Sequence, residues 1–113
     1  MTECVFCQIV KGDLASDVVR EGSEWLAFHD SNPQAPIHIL IVPKQHIASL
    51  TKASEQNSLL LGHLLLAAKT VAQEEGIGPD YRIVLNTGEG AGQSVFHIHL
   101  HLLGGRAFGW PPG

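Results

Sequence analysis

Ser94-Val95-Phe96-His97-Ile98-His99-Leu100-His101-Leu102-Leu103 is the stretch on which the fold of this chain turns. Apolar and polar residues alternate in it, and branched or aromatic side chains are frequent, which predicts a β-strand. Strand alternation places His97, His99 and His101 on one face and Phe96, Ile98, Leu100 and Leu102 on the other. One face is then core, and the other presents three imidazoles in a row.

That row limits metal binding. Residues two apart on a strand are separated by roughly 6.6 Å, and residues four apart by roughly 13 Å. A zinc–nitrogen bond is only about 2.0–2.1 Å. His97 and His101 are too far apart on a strand to grip one ion, so at least one histidine is left for other work. The alternative is a merely polar or pH-sensitive sheet face.

Working outward, residues 86–93 form a glycine-rich loop before the histidines, and residues 81–85 read as a strand. The loop is not a Walker A, because it lacks a Gly-Lys-Ser/Thr ending and leads into a strand instead of a helix. Its backbone N–H groups are expected to approach a phosphate closely. Further back, Ser54 is a plausible N-cap for a long helix ending before Gly76. Leu61, Leu64, Leu65, Ala68, Val71 and Ala72 recur at helical spacing and predict its buried stripe, with Leu59, Leu60 and Leu66 partly outside. So many leucines on a small domain point to a subunit contact.

Residues 37–42, Ile-His-Ile-Leu-Ile-Val, are nearly all apolar and predict a central buried strand ended by Pro43. Residues 18–21 and 25–29 predict a hairpin, and the Asn-Pro of residues 30–36 marks a loop. Residues 3–11 predict a short helix with Thr2 as N-cap and Gly12 as its stop. Cys4 and Cys7 share one face of it. Residues 104–113 are expected to be extended. The sum is an α+β fold of about five strands, mainly antiparallel, with one short and one long helix.

The 113 residues suit a single domain over 1–113, and 44% hydrophobic content supplies an ordinary core. Net charge is −4 and no basic run occurs, so a nucleic-acid surface is not expected. The greasy run over residues 59–68 is broken by Gly62 and His63 and is too short to span a bilayer. The first residues lack the pattern of a signal peptide, and a cytoplasmic protein is expected. Cys4 and Cys7 then read as a metal or redox pair in preference to a structural disulfide.

The chain resembles the histidine triad (HIT) family. His97-Ile98-His99-Leu100-His101-Leu102-Leu103 matches its signature of His-φ-His-φ-His-φ-φ, where φ is apolar. The stretch from Asp30 to Pro36, then His38, Val42-Pro43-Lys44 and His46-Ile47, look like its N-terminal half. Gly92-Gln93-Ser94-Val95-Phe96, Gly104-Gly105-Arg106 and Trp110-Pro111-Pro112-Gly113 look like the Hint branch. The resemblance covers nearly the whole chain and implies a HIT-like fold and a homodimer. It implies hydrolysis of purine nucleoside 5′-phosphoramidates through a nucleotidyl-histidine intermediate. His99 is the implied nucleophile, and His101 and Asn86 the phosphate donors. Ser94 stands at the leaving group, where the diadenosine-polyphosphate hydrolase branch typically has glutamine.

Gly92 and Gln93 belong to the implied phosphate loop. Phe6, Ile9 and Phe28 are implied to enclose the base, although ordinary core is their reading without the resemblance. Ser31 departs from the larger apolar residue common beside them. Asp30 is equally a turn starter or a partner of the ribose hydroxyls. His38 is either a satisfied core histidine or a residue that orients the nucleophile. Cys4, Cys7, His46 and His97 match the family's closed four-ligand structural zinc site, and a cysteine pair without metal is the alternative. Three other functions stand beside the phosphoramidate hydrolase: a purine-nucleotide-binding regulatory module with incidental turnover, a dinucleoside polyphosphate hydrolase, and a zinc metallohydrolase with the triad as ligands. The closed ligand set argues against the last, since a catalytic zinc keeps an open position.

Overall fold

Side chains alternate along the strands between two faces of the sheet, and both faces are covered. The computed structural model describes residues 4–113. The elements run α1 (Val5–Lys11), β1 (Val18–Glu21), β2 (Trp25–His29), β3 (Ile37–Pro43), α2 (Ser58–Glu74), β4 (Tyr81–Val84) and β5 (Leu100–Gly104). All strand pairs are antiparallel, in the order β1-β2-β3-β5-β4. This is the α+β architecture expected, with β3 central and buried along almost its whole length.

Ala27, Ile39, Ile41, Leu100 and Leu102 point to one face, where α2 covers them with Leu64, Ala67, Ala68, Val71 and Ala72. Their neighbours Leu26, Phe28, Leu40 and Val42 point the other way and pack on Phe6 of α1. His38 and His101 lie on this second face by the same alternation. The pairing Leu40↔His101 and His38↔Leu103 sets the two histidines diagonally across β3 and β5. Gly104 ends β5 where Ile77 crosses it; a Cβ there would sit 2.5 Å from the Ile77 side chain.

Several sequence expectations are corrected here. Thr2 and Glu3 lie outside the described residues; the N-cap of α1 is Cys4, whose Sγ accepts the N–H of Cys7 at 3.4 Å. Gly12 stops the helix at φ 85°, as expected. Ser54 does cap, with Asn57 returning a bond to its N–H, but the turn it caps is a 3-10 turn and the α-helix proper begins at Ser58. The stripe of α2 is rotated: Leu60 and Ala67 are buried, whereas Leu65 is 51% exposed.

The largest correction concerns the histidine stretch. Only Leu100–Gly104 is strand. Residues 94–99 leave the sheet because the N–H of Ile98 donates to Ile47 O at 2.7 Å, across the loop that follows β3. Phe96 is consequently 49% exposed, while Ile98, Leu100 and Leu102 are buried as expected. Among the described residues no helix is long and apolar enough to cross a membrane.

Candidate functional site

The protonation of each triad histidine follows from the backbone groups it meets. His97 Nε2 lies 2.8 Å from the carbonyl of Pro43. A carbonyl only accepts, so Nε2 carries the proton and Nδ1 presents a lone pair. His99 Nδ1 lies 2.8 Å from the carbonyl of His97, so its proton is on Nδ1 and Nε2 is the nitrogen left over. His38 Nδ1 accepts the N–H of Gln34 at 3.0 Å, which puts the proton of the neutral ring on Nε2. That Nε2–H donates to His101 Nδ1 at 2.9 Å and lies 3.4 Å from the Asp30 carboxylate. His101 is thereby left with Nε2–H as a donor. The structure places His38 against His101, not against His99.

Burial favours the neutral form of all these rings and lowers the pKa of each. For His99 it outweighs the carbonyl of His97 and the charge of Asp30, which pull upward. For His38 it outweighs Asp30. For His101 burial, then crowding by His99 and His38, brings the value down to about 4.

The face carrying His99 and His101 opens into a cavity of about 620 Å3. One end is apolar, with Val5, Phe6 and Ile9 from α1 facing Phe28 and Leu40 of the sheet. The other end holds Asp30, Ser94, His99 and His101. Phe6 stands edge-on to both Phe28 and His99, with centroids 5.6 and 5.0 Å apart. Asp30 Oδ1 accepts the N–H of Asn32 at 2.8 Å, so its turn role is realised, and the carboxylate still lines the cavity.

The glycine loop does not behave as expected. It closes into a 3-10 turn, Glu89–Ala91, in which the N–H groups of Ala91, Gly92 and Gln93 all donate to loop carbonyls. The Gln93 side chain is buried and spent on the N–H of Gly88 and the carbonyls of Ala48 and Val95. The Gln93 side chain is therefore a strut of the loop. Asn86 and Gly92 are neighbours outside the cavity lining, the Asn86 amide lying 3.8 Å from where a Cβ of Gly92 would be. Sequence reasoning missed Leu14, Ala15, Ser16 and Asp17, a loop without a motif that forms one wall. A larger groove of about 1090 Å3 lies around Tyr81, Arg82 and Phe108, away from the histidines.

Cys4, Cys7, His46 and His97 converge as a second group. His97 Nδ1 is 3.4 Å from Cys4 Sγ, 3.5 Å from Cys7 Sγ and 3.1 Å from His46 Nδ1. Cys7 Sγ is 3.3 Å from His46 Nδ1. Around a tetrahedral zinc, with its usual bond lengths, ligand atoms stand roughly 3.3 Å (N–N) and 3.5 Å (N–S) apart. The lone pair of His97 Nδ1 faces the group, and the bond from its Nε2–H to Pro43 is the outer contact expected of a ligating histidine. The cluster is thus able to hold a metal ion. The triad is divided, as the spacing argument required: His97 faces this cluster, and His101 belongs to the group of Asp30 and His38.

The sheet carries paired histidines beside a partly apolar cavity, and comparison with known proteins says which family builds this arrangement. Residues 3–107 match the family model for the C-terminal, binding part of the scavenger mRNA decapping enzyme. A HIT-like protein of Synechococcus elongatus is 50% identical over 98% of this chain and 97% of its own. The 14 kDa zinc-binding protein of Zea mays is 51% identical over 96% of this chain and 87% of its own. The crystal structure of a HIT family hydrolase from Legionella pneumophila superposes with a TM-score of 0.96 at 50% identity, over 98% of this chain and 100% of that one. The chain belongs to the histidine triad family.

Proposed function

We propose that this protein is a cytoplasmic, homodimeric hydrolase of purine nucleoside 5′-phosphoramidates, of the Hint type, with a structural zinc. The observation that carries the reading is the tautomer of His99: its N–H is held by the His97 carbonyl, and its remaining nitrogen, Nε2, belongs to a ring lining the cavity. A neutral imidazole oriented in this way is a nucleophile at neutral pH.

The substrate sits with its purine between Phe6, Ile9 and Phe28 and its ribose hydroxyls on Asp30. His99 Nε2 attacks the α-phosphorus and forms an N–P bond as the P–N bond to the amine breaks. The departing nitrogen takes the electron pair and a proton delivered through the Ser94 hydroxyl. His101 Nε2–H donates to a phosphoryl oxygen, where charge builds in the transition state. His38 keeps His101 in that tautomer. Water then attacks the phosphorus: an O–P bond forms as the N–P bond breaks and returns its electron pair to His99 Nε2, the water gives its proton to solvent, and the nucleoside monophosphate leaves. Zinc on Cys4, Cys7, His46 and His97 supplies a fixed anchor for the loop that carries His97; it fits the donor set and takes no part in bond making.

The test is a single-turnover reaction with adenosine 5′-phosphoramidate, quenched in base, where phosphohistidine linkages survive. Mass spectrometry should find one AMP added at the peptide containing His99 and none in His99→Ala. Turnover without an adduct, or with the adduct on another residue, would remove the assignment.

A further inference from the structure

The two candidate sites share their supports. Helix α1 has seven residues, fewer than a helix needs to be stable alone in water. Beside the packing of Val5, Ile9 and Val10 on the cluster of Leu26, Phe28, Leu40 and Val42, two further kinds of tie hold it to the rest of the protein. Cys4 and Cys7, at its N-cap and first turn, reach His97 and His46. Phe6, between them, packs on Phe28 and stands edge-on to His97 at 5.9 Å and to His99 at 5.0 Å. The same helix supplies Val5, Phe6 and Ile9 as one wall of the apolar slot. A second link runs along the chain, because the residue whose Nδ1 faces the metal cluster offers its carbonyl to the Nδ1–H of His99. The large core under α2 contains none of these residues.

We infer that Cys4 and Cys7 are positioning residues for the nucleotide, and that metal occupancy and nucleotide affinity are thermodynamically coupled through α1. Metal bound by both cysteines and both histidines holds α1 against the sheet and closes the base slot. Without metal the slot loses a wall while the sheet and α2 stay folded. This inference rests on the nucleotide-site reading above. Coupling between sites is reciprocal, so bound nucleotide must tighten metal binding by the same factor that metal tightens nucleotide binding.

The experiment measures both arms of that cycle. AMP affinity is determined by calorimetry on zinc-loaded protein and on protein freed of metal by a chelator. Zinc affinity is determined by competition with a chromophoric chelator, with and without saturating AMP. Metal should tighten AMP binding by at least about fivefold, the lower end of usual couplings, and AMP should tighten zinc binding by the same ratio. Phe6→Ala should still bind zinc but show a smaller ratio in both arms, which a purely structural role for the metal would not produce. Cys4→Ser should reproduce the metal-free AMP affinity whether or not zinc is added. Equal AMP affinities with and without metal would overturn the coupling. Failure of zinc-loaded protein to bind AMP at all would instead overturn the functional reading.

Discussion

His101 titrates far below an ordinary histidine because burial, and then its neighbours His99 and His38, disfavour its charged form. A group whose pKa is depressed on folding binds its proton in the unfolded chain first. Its stabilising effect is whole above the ordinary value of 6.5 and is lost as pH falls from there toward about 4. A loss on the order of 2–3 kcal/mol is expected across that window after allowance for solvent screening. Urea midpoints at pH 7.5, 5.5 and 4.5 should show it, and His101→Asn should flatten the slope. A wild-type slope no steeper than that of the variant would contradict the burial argument. Catalysis has its own residue-scale test. Ser94 lines the cavity and is exposed; if it serves the departing amine as proposed, Ser94→Ala should lower kcat by about 10²-fold or more with AMP affinity nearly unchanged. Equal losses in both would make it a binding residue only.

At the scale of elements, the buried and functional faces of the sheet respond differently to change. Leu64 is 1% exposed beneath the sheet, and Leu64→Ala should cost about 2–5 kcal/mol in a denaturation experiment. Removing the metal should instead act on α1: hydrogen exchange of residues 5–11 should accelerate, while residues 39–42 keep their protection. Much of this organisation was legible in the sequence. The pattern of β3 gave its central place, and the hairpin of β1 and β2 followed from Gly22 and its polar neighbours. The failures have physical causes. Alternation over residues 94–99 mimics a strand, but the backbone of Ile98 bonds to a loop, a tertiary choice that periodicity does not encode. Gln93 looks like a ligand-loop residue until its three backbone partners are seen. The wall at Leu14–Asp17 carries no motif, and the stripe of α2 was misplaced because leucine occupies both its buried and its exposed positions.

For the whole molecule, those exposed leucines are the feature left to account for. Leu59 is 76% exposed, Leu65 51% and Leu66 60%, on a helix whose opposite side is fully packed. A monomer would hold this apolar surface in water, and a two-fold axis beside α2 would bury it against its own copy. The strand β4 lies at the end of the sheet and is similarly open to a partner. Trp110, 84% exposed in the tail, would then be available to a neighbouring subunit. Light scattering at micromolar concentration should return about twice the chain mass of 12.2 kDa. Leu66→Glu places a charge in the centre of that surface and should shift the protein to monomer without lowering its thermal midpoint by more than a few degrees. If the tail serves the partner's cavity and not the interface, deleting residues 110–113 should leave the dimer mass unchanged and lower turnover. A wild-type monomer would refute the two-fold arrangement, and a dimer indifferent to Leu66→Glu would move the contact elsewhere, toward the open edge of β4.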